Sequence, residues 1–220
     1  AVADWDDVIA MGSAPAEARA CALNNRADVH ARHGDHEAAV RDRTAVLNLP
    51  DTTYNRRFIA LSRRSRSWIA LGHLEDALRD LAQILRTEDI SEQQKASAMI
   101  DRGRILIGAG RLTEARADFE RVLDDELVFP GAHARALVGL GEIARIEHDS
   151  ERCLEYLAAA VNSREIDDQS MIEIFAVRAR VFEDAGDTSR ANGLWERIAR
   201  DPRSSALQKR TAQKQISSAS

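Results

Sequence analysis

The sequence predicts an all-α fold, a solenoid of antiparallel helix pairs, and three observations predict it. Residue types recur in register every 38 residues along most of the chain. Apolar residues return at helical spacing on both sides of each recurring glycine. Ala, Leu, Arg and Glu, all good helix formers, are frequent. Aromatics make up only 5% of the 220 residues, and no Val/Ile/Thr run alternates with period two, so strands have little support.

The first element, residues 1–13, carries Ala1, Trp5, Val8 and Ile9 on the same grid as the later second helices. It is expected to be the second helix of a truncated repeat. With no Met at position 1, the chain is then expected to be a fragment of a longer protein.

Residues 17–203 hold five helix–turn–helix units, with turns centred at Gly34, Gly72, Gly110, His148 and Gly186. Glycine there supplies the left-handed backbone that ends a helix. Asp35, Asp149 and Asp187 follow the turn and are placed to cap the next helix. Seven residues before the turn the side chain is always small: Ala27, Ser65, Gly103, Gly141 and Ala179. Four earlier it is large and apolar: Leu23, Leu61, Met99, Leu137 and Phe175. After the turn comes a small column of Ala39, Ala77, Ala115, Cys153 and Ala191. A mostly bulky column follows, Arg43, Leu81, Phe119, Leu157 and Trp195. Small positions let two helices approach and large ones fill the gap. One hairpin cannot bury its apolar face alone, whereas stacked neighbours can. The last element, 204–220, is expected to be a capping helix that runs into a flexible tail, with a basic stretch from Leu207 to Lys214.

These columns resemble the tetratricopeptide repeat, best over Ala109-Gly110-Arg111-Leu112-Thr113-Glu114-Ala115 through Phe119, and again over Asp184-Ala185-Gly186-Asp187 through Trp195. The resemblance covers nearly the whole chain and implies a right-handed superhelix whose first helices line a concave groove. The period of 38 residues departs from the family's usual length of about 34. The fourth unit departs further, with His148 and Cys153 at its glycine and alanine positions.

Two sets of charged residues stand out. Arg26, Arg64 and Arg102 share one column, and Asp42, Asp80 and Asp118 share another sixteen residues on. The fourth unit lacks both members, with Leu140 and Tyr156 instead, which suggests a structural Arg–Asp ladder. Arg178 of the fifth unit stands opposite Leu194. The second set is a crowd of arginines, Arg56, Arg57, Arg63, Arg64 and Arg66. At about 100° per residue, Arg56, Arg63 and Arg66 share a face. By the resemblance, that face looks into the groove, together with Arg104 and the apolar Ile59, Ile69, Ile100 and Ile107. The alternative is a solvated face neutralised by nearby carboxylates. Some members of the family clamp C-terminal acidic peptides with Lys, Asn and Arg on successive first helices. The corresponding columns here hold Asn24, Asp28, Arg63, Ser97 and Asp101, which do not reproduce that clamp.

No nucleophile elbow, phosphate loop, zinc motif or dinucleotide fingerprint is present. His30, His33 and His36 are spaced near one helical turn, but Gly34 interrupts them, and no metal or other cofactor is expected. A net charge of −5 argues against generic nucleic-acid binding. No run of about 18 apolar residues offers a membrane span. Two distant cysteines, Cys21 and Cys153, suit a reducing compartment, and a cytoplasmic location is expected. The function expected is non-catalytic: a scaffold that binds a peptide or helix of a partner protein, of acidic character, in the concave groove. The alternative is a ligand-sensing or regulatory arm of a larger signalling or ATPase protein. A homo-oligomer is compatible with either.

Overall fold

A computed structural model of the chain describes residues 2–88, 90–125, 127–163 and 166–218. Ala1, the first grid position of the truncated unit, and Ala219 and Ser220 of the expected tail lie outside the described residues. Twelve α-helices and no strand occur among the described residues, as the all-α prediction requires. They are α1 (Val2–Ala10), α2 (Ala16–Arg32), α3 (His36–Asn48), α4 (Tyr54–Ala70), α5 (Leu74–Leu85) and α6 (Glu92–Gly108). They continue with α7 (Leu112–Leu123), α8 (Pro130–Ile146), α9 (Ser150–Val161), α10 (Asp168–Asp184), α11 (Thr188–Arg200) and α12 (Ala206–Ser218). None of the helices is long and apolar enough to cross a membrane.

The five turns are built alike. The recurring residue is left-handed at each, with φ of 83°, 79°, 74° and 75° at Gly34, Gly72, Gly110 and Gly186 and 62° at His148. That conformation folds the next amide back onto the carbonyl five residues earlier. Asp35 donates to His30, His73 to Trp68, Arg111 to Leu106, Asp149 to Ala144 and Asp187 to Phe182, all at 2.8–2.9 Å. The recurring residue itself donates three residues back, which completes a Schellman motif and satisfies two carbonyls at the end of each first helix. The Asp35, Asp149 and Asp187 carboxylates then accept from the amides of Ala38, Arg152 and Arg190 at the starts of the second helices.

The longer period has a plain origin. Each first helix has 17 residues, and each second helix 12 or 13. Two further helix starts use a reciprocal cap. The Ser91 amide donates to Gln94 Oε1 while the Gln94 amide donates to Ser91 Oγ, and Ser205 and Gln208 repeat the pattern before α12.

The chain forms two compact units, Ala1–Ile105 and Leu106–Ser220. In the first, Ala20, Leu23, Val46, Leu49 and Ala60 form a core cluster with Ile9 of α1 packed against it. In the second, one cluster gathers Cys153, Leu157, Ile174 and Val177, and another gathers Ile172, Phe175, Trp195, Ile198 and Ala212 of α12. Helices α7 and α8 approach closely. A Cβ placed on Gly139 would lie 2.4 Å from the fully buried Phe119 ring, so only glycine fits there.

Candidate functional site: a basic cleft in the first unit

Arg26 and Arg64 each grip a carboxylate of their own hairpin with two nitrogens. Arg26 Nε and Nη2 donate to Asp42 Oδ2 and Oδ1 at 2.8 and 2.6 Å. Arg64 does the same to Asp80 at 2.9 and 2.6 Å. The remaining nitrogen reaches back to the preceding second helix, to Asp6 Oδ1 from Arg26 and to Thr44 Oγ1 from Arg64. Donating to the Asp42 and Asp6 carboxylates holds the Arg26 guanidinium above the usual arginine range, outweighing burial. Arg102 belongs to the first unit and the buried Asp118 to the second. In the fourth hairpin Leu140 is buried, and Tyr156 packs on the core cluster beneath Arg152, whose guanidinium carbon lies 5.9 Å from its ring centre.

A different arginine makes a cleft. Arg43 stands on α3 in the column filled elsewhere by Leu81, Phe119, Leu157 and Trp195, and its side chain is 2% exposed. An enclosed guanidinium must find acceptors. Arg43 Nη2 donates to Asp28 Oδ1 of α2 at 2.9 Å, and Nη1 donates to Ser67 Oγ of α4 at 2.7 Å and to the Arg63 carbonyl at 3.1 Å. Burial pulls its pKa below the usual arginine range, against the opposing pull of Asp28. The other oxygen of Asp28 accepts from Arg63 Nη1, so one carboxylate sits between two guanidiniums. Arg32 and Arg66 also line this cleft, whose volume is about 580 Å³, and His36 and Ala31 complete its wall. Arg66 Nη2 lies 3.5 Å from Asp101 Oδ2. Four arginines thus face a cleft lined by a single carboxylate, which gives the site a positive field suited to an anion.

The residues singled out in the sequence are distributed unevenly around this site. Arg63 and Arg66 are exposed and form its rim. Arg56 is tied to Glu17 by a 2.7 Å bond from Nε and lines no part of the cleft. Ile59 is half-buried, Arg104 is exposed, and Ile107 is half-buried in the second unit. Ile100 is fully buried and is therefore a core residue, not a groove surface: the buried stripe of α6 takes in Ala96, Ala98, Met99, Ile100 and Gly103 together. Ile69 is exposed at 41%. Asp28, Arg32, His36, Arg43 and Ser67 were not predicted as site residues. Their one signal in the sequence is an arginine in a column of bulky apolar residues.

His30 is half-buried, 3.9 Å from Asp42 and 4.0 Å from Asp35. Among the described residues no group of three or more His, Cys, Asp or Glu is arranged to hold a metal ion.

Comparison with known proteins agrees with this architecture. A family model for the tetratricopeptide repeat matches residues 63–127 and 100–169. The structure of a tetratricopeptide repeat protein from Parabacteroides merdae ATCC 43184 is 14% identical, covers 99% of this chain and 90% of its own, and superposes with a TM-score of 0.57. The structure of MamA is also 14% identical, covers 87% of this chain and 95% of its own, and gives a TM-score of 0.53. At these identities the likeness is one of fold. No curated protein matches the sequence. The family model matches residues 63–169, and the hairpins on either side close with the same left-handed turn, so the chain carries tetratricopeptide repeats.

Proposed function

We propose that the chain is a non-catalytic scaffold that holds an acidic segment of a partner protein against the α2–α4 face of its first unit. Tetratricopeptide repeats generally mediate protein–protein interactions. The observation that carries the narrower reading is the cleft itself, where Arg32, Arg43, Arg63 and Arg66 converge around Asp28. The half-buried Ile59 on the same helix offers apolar area nearby. Apolar contacts would supply most of the affinity, and the arginines would set orientation and association rate.

The test uses a fluorescent amphipathic peptide bearing Glu on one face and Leu on the other, titrated against the intact chain. Replacing Arg63 and Arg66 together by Gln should weaken binding by about tenfold, and raised salt should reproduce part of the loss. Arg79→Gln, which alters an exposed arginine paired to Asp76, serves as the control. Equal affinity of the double variant and the parent would reject the cleft as the contact site.

A further inference from the structure

We infer that the anion this cleft is built to take is a phosphate monoester on a partner's side chain, a phosphoserine or phosphothreonine, and not a plain carboxylate. The inference rests on the binding reading above and adds the chemical class of the anion.

The argument begins with charge. The cleft is lined by Arg32, Arg43, Arg63 and Arg66, with Arg43 buried beneath the others. Asp28 lies between Arg43 and Arg63, and Asp101 adjoins Arg66 at 3.5 Å. Four cations against two carboxylates leave an excess of two positive charges. A phosphate monoester carries roughly −1.5 to −2 at neutral pH and matches that excess, whereas a carboxylate leaves about half of it uncompensated.

Geometry points the same way. Asp28 already plays the part of a carboxylate in this site, with one oxygen on Arg43 and the other engaged by Arg63. A second carboxylate would compete for Arg63 with an equal that is tethered in place. A phosphoryl group instead brings three acceptor oxygens, enough to bridge several forked donors at once. The side chains of Arg63 and Arg66 are 44% and 65% exposed, so both heads can turn toward an incoming group without disturbing the core. Arg43, locked by Ser67 and the Arg63 carbonyl, is the fixed positive floor beneath them. The cleft volume, about 580 Å³, exceeds a phosphoryl group and leaves room for the residues on either side of it.

The experiment is a titration of the intact chain with three probes: the capped tripeptide Ala-phosphoserine-Ala, its Ala-Glu-Ala counterpart, and inorganic phosphate. Side-chain Nε–Hε resonances of the arginines provide the readout. The phosphopeptide should shift the Arg63 and Arg66 resonances saturably and bind at least about tenfold more tightly than the glutamate peptide. Arg63→Gln with Arg66→Gln should abolish the preference, and Arg79→Gln should leave it intact, with circular dichroism checking that each variant is folded. Equal binding of the glutamate peptide would overturn the inference while leaving the acidic-partner reading standing. Inorganic phosphate binding more tightly than the phosphopeptide would also overturn it, by assigning the site to the free ion. No saturable shift with either peptide would remove both readings together.

Discussion

Arg43 occupies a position that the other hairpins fill with Leu, Phe or Trp, and its Nε is enclosed without a hydrogen-bond partner. An ion pair buried in this way is weak support for a fold, because desolvation offsets most of its attraction. Arg43→Leu restores the column, and Asp28 keeps Arg63 as its partner. Because Asp28 keeps Arg63 while Ser67 and the Arg63 carbonyl lose a donor, urea denaturation of this variant should show stability changed by no more than ~1–2 kcal/mol, while binding of anionic peptides falls. A clear loss of stability would mean that the guanidinium is a structural requirement and not a functional one. The two cysteines offer a second contrast. Cys153 is fully buried, and burial pushes its thiol up to about 11, so it remains protonated well above neutrality. Cys21 is partly exposed. Since the thiolate is the reactive form, iodoacetamide at about pH 8 should modify Cys21 readily in the native chain and spare Cys153 until denaturant is added. Equal native rates would contradict the packing of α9.

Among the helices, the fourth hairpin is where the pattern is least regular, and two substitutions there should act in opposite directions. His148 is held at a φ of 62° with its side chain in solvent, a conformation that costs a residue with a Cβ on the order of 1–2 kcal/mol. His148→Gly relieves this at the expense of unfolded-state entropy, so a net gain of ~0.5–1 kcal/mol in chemical denaturation is expected. Gly139→Ala should do the reverse, because its methyl meets the Phe119 ring, and a loss of ~2 kcal/mol or more is expected from overpacking. The same hairpin shows why the turns were legible in the sequence and the site only partly so. A left-handed turn imposes its requirement on one position at a time, so glycine recurs at fixed spacing and even the exception at His148 lies on the grid. Arg63 and Arg66 were visible as a run of charge on one helix. Asp28, Arg43 and Ser67 come from three helices, and their meeting depends on packing that no single segment's periodicity contains. Ile100 failed for a related reason: helical spacing places it beside Met99 but does not say how wide a stripe the neighbouring helices cover.

At the scale of the molecule, roughly three-quarters of the residues are helical against about a third in ordinary globular chains, and circular dichroism should report that excess. Within each unit the substantial helix contacts join helices that are adjacent or next-adjacent in chain order, such as α2 with α3 and α4, or α8 with α9 and α10. Damage should therefore stay local. In Gly139→Ala, amide hydrogen exchange should accelerate first in α7, α8 and α9, with α2 and α3 changing least; uniform acceleration along the chain would contradict nearest-neighbour stability. This locality also bears on how the chain acquires its structure. Most contacts close loops no longer than about one repeat, so little of the search for partners spans long stretches of polymer, and low contact order of this kind favours fast folding. The neighbouring hairpins α2–α3 and α4–α5 have their turn signals and partner helices within residues 16–85, so they can stack while the rest of the polypeptide is still leaving the ribosome.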